Sequence, residues 1–487
     1  MNPTPEQQPV IEYGGKHLVV VAYAGCGKTS TLVSFAKQNS HLKILYLAYN
    51  RAIRDEGASK FPKNVSCKTS HQLAWAAFGS KYQHKLGNIR LTDAAELLET
   101  RKWAEVRNAI GVLNAFLNSA DAEIGVGHAF AGVDEEDQAK GGDAVLDKAM
   151  SNARQLWEAM IDPEHSFVCQ HDCYLKMYQL SRPQLPYDVI LFDEAQDSNP
   201  VTAAIVVAQS ARKIFVGDRW QQIYRFRGAQ NALDTQIALG ADVAYLTNSF
   251  RFGPKIAAVA NAILWQQGER RPLVGFGAMD TVTTSLPSRC EQYTVLNRTV
   301  FGVIMTGIDA VKGGQTVYWN GGIESYQISD LEDVDALRRG KLNQVRNRKL
   351  FGQFHSYESF REAAEESKDP EMSRLVRIAN ENNDIPKLIA ALRENSTGEP
   401  EEADIIISTC HRAKGLEWDV VVLAEDFPDI FDAEKLNDEQ RVDELNLLYV
   451  ACTRAKKILV INTITQIAIT RSFHAKRAEE KKAAEYA

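Results

Sequence analysis

The stretch AYAGCGKT, from Ala22 to Thr29, constrains the fold of this 487-residue chain more than any other feature. It follows the apolar run 18–21, and an uninterrupted run of this kind predicts a parallel strand buried on both faces. Two glycines then allow a tight turn that directs backbone N–H groups at a phosphate chain, and the sequence after Lys28 is helical in character. The segment predicts a phosphate-binding loop, with Ala22 where the general pattern has its first glycine.

This loop supplies most of the predicted nucleotide contacts. Lys28 can reach the outer phosphates, and the hydroxyl of Thr29 suits a Mg²⁺ ion. We therefore predict that the nucleotide and its metal ion are held by Ala22, Tyr23, Ala24, Gly25, Cys26, Gly27, Lys28, Thr29 and Ser30.

A second element, DVILFDEAQD at 188–197, places an acidic pair at the end of a buried strand. We expect Asp193 to lie near the Mg²⁺ ion that Thr29 helps to hold. Glu194 is suited to orient an attacking water and to remove its proton. Taken alone, the two elements leave P-loop kinases and motor proteins open.

The composition indicates a globular protein without a membrane span. Apolar residues make up 45% and charged residues 24% of the chain, and no apolar run approaches the length of a membrane helix. The seven cysteines are scattered, which favours a reducing compartment. The net charge of −7 argues against a uniformly basic DNA-coating protein, although it leaves room for a local basic groove.

Strand-like apolar runs recur along the chain, and each ends in polar residues. Because they alternate with helical segments, they predict an α/β protein with parallel sheets that bind ligands at the carboxyl ends of their strands. Within the first insertion, we expect the acidic, glycine-bearing segment 125–143 to be a solvated, mobile loop. The predicted organisation is a first sheet domain at 1–88 and 187–250, a helical insertion at 89–186, a second sheet domain at 251–304 and 399–470, a reduced second insertion at 305–398, and a charged C-terminal tail at 471–487.

Four further motifs follow in order: VGDRWQQIYRFRGA at 216–229, LTNSFRF at 246–252, STCHRAKGLEWDVVVL at 408–423 and LLYVACTRAKK at 447–457. With AYAGCGKT and DEAQD, this series resembles the UvrD/Rep-type superfamily 1 DNA helicases across nearly the whole chain. The stretches 64–79 and 171–197 are most similar to the F-box DNA helicases. Since only 21 residues precede the phosphate loop, we expect no F-box and do not carry over a ubiquitin-ligase association.

The resemblance implies two RecA-like P-loop domains and further residues around ATP. Phosphoryl transfer requires positive charge at the leaving γ-phosphate, and Arg251 and Arg454 match the two arginines that supply it in the family. Gln221 matches the glutamine that senses this phosphate. The resemblance thus implies a catalytic set of Lys28, Glu194, Gln221, Arg251 and Arg454.

Three other residues match family contacts to the nucleoside. Phe250 matches an aromatic residue that stacks on the base, with core packing as the alternative. Gln7 fits a glutamine that reads adenine, although Gln8 is a second possible register. Glu417 fits a contact to the ribose.

The predicted nucleic-acid contacts combine aromatic and cationic side chains. Tyr224 and Phe226 offer stacking platforms, and Arg227 places a cation beside them. Tyr174 and Lys176 are left open between a DNA contact and packing. Residues at predicted strand ends match phosphate- or base-contacting positions of the family, although each alone could be an ordinary surface or core residue: Asn50, Arg51, His71, His411 and Arg412.

The sequence therefore predicts an ATP- and Mg²⁺-dependent DNA helicase or translocase. Its expected partners are single-stranded DNA and duplex with a single-stranded tail, and the resemblance implies 3′→5′ movement and a role in DNA repair or recombination. Two alternatives stay open: a DNA-sensing ATPase that regulates a partner nuclease, and a translocase that strips proteins from single strands. We expect a cytoplasmic protein if the host is a bacterium, phage or plasmid, and a nuclear one if it is a eukaryote.

Overall fold

A computed structural model describes residues 3–225, 231–347, 351–352, 354–367, 370–382, 384–432 and 434–485. The chain forms two compact units. The first comprises Met1–Tyr23 and Gly27–Leu246, and the second comprises Ala24–Cys26 and Thr247–Ala487. Each unit is built on a parallel sheet with helices, so the predicted α/β class is confirmed.

The sheet of the first unit has six parallel strands in the order β3-β2-β4-β5-β1-β6. Every residue of β2 and β4 is buried, which accounts for their continuous apolar sequences. The strands are β1 (His17–Ala22), β2 (Ile44–Ala48), β3 (Val65–Thr69), β4 (Val189–Phe192), β5 (Arg212–Gly217) and β6 (Asp242–Leu246). Because the strands are parallel, the residues that follow β1, β4 and β5 meet at one edge of the sheet.

Eleven α-helices are described in the first unit. Between residues 89 and 186 the described elements are α-helices, which share a buried core that includes Val106, Leu113, Phe116 and Leu156. The helices are Gln8–Ile11, Lys28–Gln38, Arg51–Lys60, Ser70–Trp75, Leu91–Leu97, Trp103–Leu117, Val126–Gly132, Glu135–Ile161, His171–Leu180, Pro200–Val207 and Ala232–Ala238.

The prediction of a solvated, mobile loop at 125–143 was wrong. The segment forms helix Val126–Gly132 and the start of helix Glu135–Ile161, which is broken at Gly142 with φ 54°. The helix at 126–132 packs closely against helix Trp103–Leu117, and a Cβ on Gly111 would lie 2.0 Å from the carbonyl oxygen of Gly132. Gly132, which lay in the predicted loop, thus makes a helix–helix contact with Gly111 of the predicted helical stretch.

The sheet of the second unit has seven parallel strands in the order β12-β11-β13-β10-β14-β15-β9, and β7 pairs with β8 separately. The strands are β7 (Asn248–Ser249), β8 (Val274–Gly275), β9 (Thr281–Thr283), β10 (Tyr293–Asn297), β11 (Val317–Trp319), β12 (Ser396–Thr397), β13 (Ile405–Thr409), β14 (Trp418–Leu423) and β15 (Ala455–Val460). The described helices are Pro254–Gln266, Val300–Lys312, Ile328–Arg338, Tyr357–Ser367, Pro370–Glu381, Ile385–Glu394, Asp438–Cys452 and Thr463–Glu485.

Residues 305–398 contribute to the sheet as well as to helices. The strands β11 and β12 lie within this range, and the indole N–H of Trp319 donates to Oγ of Ser396 at 2.9 Å. One apolar core includes Trp319, Leu331 and Ile389 together with Ile405 of β13. The domain boundaries derived from the sequence stay a prediction. In the part of the chain that the structure describes, no helix is long and apolar enough to cross a bilayer.

Candidate functional site

The phosphate loop has the backbone that its glycines predict. Gly25 and Gly27 have φ angles of 74° and 75°, a left-handed region that side chains other than glycine rarely adopt. Helix Lys28–Gln38 begins directly after Gly27, its N-cap residue, which has no side chain to accept from the first turn. The N–H groups of a helix N-terminus attract phosphate, so the loop is suited to bind a phosphate chain.

Lys28 and Glu194 contact each other at the carboxyl edge of the first sheet. The Nζ of Lys28 lies 2.8 Å from Oε1 of Glu194, and their side chains are 16% and 14% exposed. Asp193, which is 3% exposed, directly follows β4 and accepts a hydrogen bond from the N–H of Glu194 at 3.0 Å. Glu194 has a φ of 51°, in the left-handed region that residues other than glycine rarely adopt. The structure therefore brings together the predicted phosphate lysine and both predicted carboxylates.

The charges at this edge depend on one another. Burial lowers the pKa of Lys28, but the carboxylates of Glu194, Asp193 and Asp218 outweigh burial and leave that pKa raised. Burial raises the pKa of Asp193, as does neighbouring Glu194, while Lys28 and a hydrogen bond from Tyr46 oppose the change. Lys28 is thus held as a cation, and the ionised form of Asp193 depends on its neighbours.

A buried hydrogen-bond network connects the DEAQD segment to the residues after β5. The side-chain amide of Gln196 donates to Oε2 of Glu194 at 2.6 Å and to Oδ2 of Asp197 at 3.1 Å. Its oxygen accepts from the N–H of Asp218 at 3.2 Å, and Asp218 accepts from the amide of Gln221 at 2.9 Å. Gln221, the predicted phosphate sensor, is therefore linked to Glu194 through Asp218 and Gln196.

The donors around the loop fit a Mg²⁺ ion held together with phosphates. Thr29 is half-buried and Ser30 is exposed in the first helical turn, and Asp193 directly follows β4 at the same edge of the sheet. Across the described ranges, no group of three or more His, Cys, Asp or Glu side chains forms a metal site. Mg²⁺ commonly takes one or two carboxylates and completes its shell with substrate phosphates and water, so this sparse donor set suits it.

Gln7 and Gln8 differ in their surroundings. Gln7 is half-buried, and its Oε1 accepts from the N–H of Thr4 at 3.0 Å, which leaves the amide nitrogen as a donor. Gln8 is exposed and hydrogen-bonds to Glu12. Helix Gln8–Ile11, which Gln7 precedes and Gln8 begins, packs against helix Lys28–Gln38, so both glutamines lie near the helix that follows the phosphate loop.

The two predicted arginines lie together in the second unit. Arg251 donates to Oε2 of Glu417 at 2.6 Å and to the carbonyl of Thr453 at 3.0 Å. Arg454 is only 2% exposed and donates to the carbonyls of Val450 at 2.9 Å and Leu416 at 3.2 Å. The predicted ribose contact Glu417 therefore pairs with one arginine and directly follows a residue that anchors the other.

Phe250 and the loop tip also belong to the second unit. The N–H of Phe250 donates to the carbonyl of Gly25 at 2.9 Å, and the N–H of Ala24 donates to the hydroxyl of Tyr449 at 3.2 Å. The Phe250 side chain is 46% exposed, whereas Phe252 is fully buried. Core packing thus accounts for Phe252 and leaves Phe250 accessible.

In the first unit, a cavity of about 630 Å³ gathers three predicted nucleic-acid residues. The Oδ1 of Asn50 caps helix Arg51–Lys60 by accepting from Ile53, and the Arg51 side chain is 86% exposed. The Nε2 of His71 lies 3.2 Å from Oδ1 of Asp172. The cavity is lined by Tyr49, Asn50, Arg51, Arg54, Thr69, His71 and Gln72.

Tyr224 stacks on Tyr49, with ring centroids 5.5 Å apart and planes 15° apart, so an aromatic pair extends from this cavity. The predicted contacts Phe226 and Arg227 lie outside the described residues. In the second unit, the guanidinium of Arg412 sits 4.2 Å from the ring centroid of Tyr326, next to half-buried His411 after β13.

Tyr174 and Lys176 are packing residues. Tyr174 is 3% exposed and meets Trp75 edge-on, with centroids 5.7 Å apart. Lys176 is fully buried, its Nζ donates to the carbonyl of Ser119 at 2.9 Å, and it lies 4.4 Å from the ring centroid of Phe116. Of the two alternatives for this pair, the structure supports packing.

Comparison with known families identifies both halves of the chain. Residues 36–237 match the UvrD/REP helicase N-terminal domain, and residues 324–466 match the UvrD-like helicase C-terminal domain. The chain belongs to the UvrD-like helicase family. The resemblance inferred from the motifs is confirmed.

Individual relatives of this UvrD-like chain include two F-box DNA helicases. F-box DNA helicase 1 of Gallus gallus is 33% identical over 94% of this chain and 49% of that protein. F-box DNA helicase protein 1 of Schizosaccharomyces pombe is 30% identical over 95% of this chain and 58% of that protein. DNA helicase IV of Escherichia coli is 25% identical over 54% of this chain and 47% of that protein. The chain thus spans about half the length of these curated relatives.

Several residues of the UvrD-like site were missed in the sequence. Gln196 and Asp218 were quoted only as parts of motifs, and Tyr46 looked like an ordinary strand residue. Arg54 lines the cavity, and its Nε is buried with no hydrogen-bond partner among the described residues. Arg54 could have been predicted from its spacing of three from Arg51, since residues three apart lie on the same face of a helix.

Proposed function

We propose that this chain is an ATP- and Mg²⁺-dependent DNA helicase or translocase that moves 3′→5′ on single-stranded DNA during repair or recombination. The observation that carries the proposal is the 2.8 Å pair of Lys28 and Glu194 at the carboxyl edge of a parallel sheet, beside the glycine loop. Membership in the UvrD-like family supports it.

The hydrolytic chemistry follows from the residues at this edge. ATP is the substrate, and Lys28 binds its outer phosphates through a charge-assisted hydrogen bond. Glu194 accepts a proton from the attacking water, and Gln196 fixes the direction of its carboxylate. A Mg²⁺ ion held by Thr29 and Asp193 would neutralise charge on the phosphates when bound.

We assign further ATP contacts to Gln221, Arg251 and Arg454. The arginines supply positive charge to the γ-phosphate in the transition state, an effect worth roughly 10³–10⁵ in rate. Gln221 reports the state of that phosphate through its bond to Asp218. In the same proposal, Phe250 stacks on adenine, Glu417 contacts the ribose and Gln7 reads the base.

The DNA side of the proposal rests on the cavity at Asn50, Arg51 and His71. Its volume of about 630 Å³ is ample for nucleotide groups, and the Tyr49–Tyr224 pair offers a stacking surface at its border. His411 and Arg412 contribute contacts from the second unit. Single-stranded DNA and duplex with a single-stranded tail are the proposed partners.

The test combines an ATPase assay with strand displacement. We expect ATP hydrolysis to rise on addition of single-stranded DNA. A duplex with a 3′ single-stranded tail should be separated, and one with a 5′ tail should not. Lys28→Ala should lose both activities through weaker ATP binding, whereas Glu194→Gln should retain ATP binding and lose turnover. Hydrolysis that ignores DNA would contradict the proposal.

The same assays separate the two alternatives. A DNA-sensing subunit would hydrolyse ATP on DNA and separate no strands. A stripping translocase would remove a bound protein from a single strand faster than it unwinds a forked duplex. The location follows the host in our proposal: nuclear in a eukaryote, and cytoplasmic if the host is a bacterium, phage or plasmid.

A further inference from the structure

A histidine and an aspartate contact each other at the border of the cavity in the first unit. His71 lines the cavity, and its Nε2 lies 3.2 Å from Oδ1 of Asp172. Asp172 comes from another helix, His171–Leu180, and the two side chains are 38% and 44% exposed. His71 is a DNA contact in the proposed function, whereas Asp172 has no part in it.

The contact with Asp172 determines which nitrogen of the imidazole carries a proton. An ionised carboxylate accepts hydrogen bonds and cannot donate one, so Nε2 of His71 is the donor in this pair. In the neutral imidazole the other nitrogen, Nδ1, then has no proton and can only accept. The oxygens of a DNA phosphate are acceptors as well. A phosphate can therefore contact Nδ1 directly only after His71 has taken up a proton there.

Asp172 is held in place by the packing of its helix. Tyr174 meets the ring of His71 edge-on, with centroids 5.8 Å apart. Buried Lys176, further along the same helix, donates to the carbonyl of Ser119 at 2.9 Å. The carboxylate is thus presented to the imidazole by a packed element, which reduces the conformational entropy lost when a ligand binds.

Two arginines share the cavity with His71. Arg51 and Arg54 line it, and their cations oppose a further positive charge on the imidazole. Asp55 weakens this effect, since its carboxylate lies 2.6 Å from a terminal nitrogen of Arg54 and 3.7 Å from Nε of Arg51. Asp172 is the carboxylate that contacts the imidazole itself, so it is the group that compensates the charge of a protonated His71.

Two further titratable side chains of helix His171–Leu180 face His71. The ring centroid of His171 lies 6.3 Å away, and its Nδ1 is 3.0 Å from the hydroxyl of Tyr174. Burial and the charge of Asp172 raise the pKa of Tyr174 to about 12, so its phenol stays neutral at neutral pH. Histidine ordinarily changes charge near neutral pH, so an experiment has to distinguish His171 from His71.

We propose that single-stranded DNA binds in this cavity with the uptake of one proton by His71, and that Asp172 is the positioning residue that makes the uptake favourable. Nε2 stays bonded to Asp172, the proton comes from the buffer and occupies Nδ1, and that N–H donates to a DNA phosphate. This step rests on the DNA-binding role that we propose for the cavity. It predicts that the affinity for DNA increases as the pH falls through the range in which histidine ionises.

Titration calorimetry of the full chain with an oligothymidylate, without nucleotide and at constant salt, tests the proposal. Thymine and the phosphodiester keep their charge near neutral pH, so heats measured in two buffers of different ionisation enthalpy give the protons taken up by the protein. Between ~pH 6 and ~pH 8 the association constant should fall with pH, by at most about tenfold per pH unit for one proton.

Two histidine variants assign the proton. His71→Gln keeps an N–H donor but cannot titrate, so its proton uptake should be smaller than that of the unaltered chain by up to one per DNA bound. His171→Gln is the matched control and should keep the uptake. Circular dichroism and thermal melting confirm that each variant is folded. Equal uptake in His71→Gln and the unaltered chain, or loss of the uptake in His171→Gln, would overturn the proposal.

Asp172→Asn separates positioning from a purely structural role. Its amide oxygen still accepts from Nε2 of His71, but the charge compensation is lost, so the deficit in affinity should grow as the pH rises. Asp172 also lies in the first turn of its helix, where a carboxylate is stabilising in any case, and that role alone would weaken binding equally at every pH.

The outcomes for this proposal and for the proposed function are distinct. A pH-independent deficit in Asp172→Asn, or no deficit, would overturn the role of Asp172. DNA binding without proton uptake would overturn the whole proposal and leave the proposed function intact. A chain that binds no single strand at any pH would overturn both.

Discussion

The hydroxyl of Tyr46 donates a hydrogen bond of 2.6 Å to Oδ2 of Asp193. Tyr46 lies in the middle of β2 and Asp193 directly after β4, and the two strands are neighbours in the sheet. The bond stabilises the ionised form of Asp193 against burial and against the charge of Glu194, both of which raise its pKa. A residue of β2, a strand without a nucleotide motif, thus helps to keep ionised the carboxylate that we assign to Mg²⁺.

Replacing Tyr46 by phenylalanine should therefore shift the pH dependence of ATP hydrolysis. Without the hydroxyl, the pKa of Asp193 rises further, so this carboxyl is protonated at higher pH and activity is lost earlier on acidification. A hydrogen bond to a charged group contributes about 1.5–3 kcal/mol, which corresponds to roughly one to two pKa units. Profiles of kcat/KM for ATP against pH, which follow ionisation in the free enzyme, measure the shift for Tyr46→Phe and the unaltered chain, and superimposable acidic limbs would refute it.

Changes at Gln196 should destabilise the first unit. Gln196 is fully buried, and its amide contacts Glu194, Asp197 and the N–H of Asp218. Gln196→Leu leaves these groups unsatisfied and should cost about 1–3 kcal/mol in free energy of unfolding.

Gln196→Glu adds a carboxylate beside Glu194 and Asp197, and it should be less stable than Gln196→Leu at neutral pH. The added carboxyl should have a raised pKa in the folded state, so the folded state binds more protons than the unfolded state. The difference in free energy of unfolding between Gln196→Glu and Gln196→Leu should therefore narrow as the pH falls. Urea unfolding of both variants at two pH values gives the comparison. Equal free energies of unfolding for Gln196→Glu and Gln196→Leu at neutral pH would contradict the hydrogen-bond network proposed around Gln196.

Buried Lys176 should make stability increase with pH in the alkaline range. Burial lowers its pKa from 10.5 to about 8, with Asp121 opposing. Between these values the folded chain has released a proton that the unfolded chain keeps, so raising the pH favours folding. The difference in unfolding free energy between the unaltered chain and Lys176→Met should grow by at most about 1.4 kcal/mol per pH unit. Denaturant titrations of both proteins measure it, and a flat difference would be evidence against this pKa.

Phe250→Ala should raise the KM for ATP with a smaller effect on kcat. Stacking of a base on an aromatic ring contributes ~1–3 kcal/mol, so the increase should be roughly 5- to 150-fold. Phe276→Ala, which removes another exposed phenylalanine of the second unit, should leave KM unchanged. Similar KM changes in both variants would point to a general loss of structure instead of stacking.

Arg51→Ala should reduce the salt dependence of DNA binding. If Arg51 contacts a phosphate, its loss lowers the slope of log K against log salt by about 1. Lys60→Ala is the matched control, because Lys60 lies at the other end of the same helix and pairs with Glu56. Fluorescence anisotropy with a labelled single strand at several salt concentrations supplies the slopes, and equal slopes for all three proteins would exclude the phosphate contact.

Much of the fold was predictable because buried parallel strands leave an apolar signature. The run at 189–192 is a strand with the predicted bounds, and the run at 43–49 forms β2. The short strands β9, β11 and β12 carry no such signature, since two or three residues cannot show a pattern. Their pairing comes from tertiary context.

The site was predictable where a motif carries its own chemistry, as at Lys28 and Glu194. It was not predictable where the role depends on which strands are neighbours. Tyr46 acts because β2 adjoins β4, and Gln196 acts because β4 adjoins β5. For Lys176 the sequence left a DNA contact and packing open, because the choice depends on which helices surround it; the buried amine donates to the carbonyl of Ser119.

The close approach of Gly111 and Gly132 has a consequence for engineering. A single methyl group on either residue would push the two helices apart. This crossing therefore fixes the distance between helix Trp103–Leu117 and the segment that bears Phe130. We expect a fluorophore attached at an outward position of that segment to follow the motion of the two packed helices, apart from the motion of its own linker. The pair of glycines thus makes an inconspicuous stretch of sequence a suitable attachment site for a spectroscopic label.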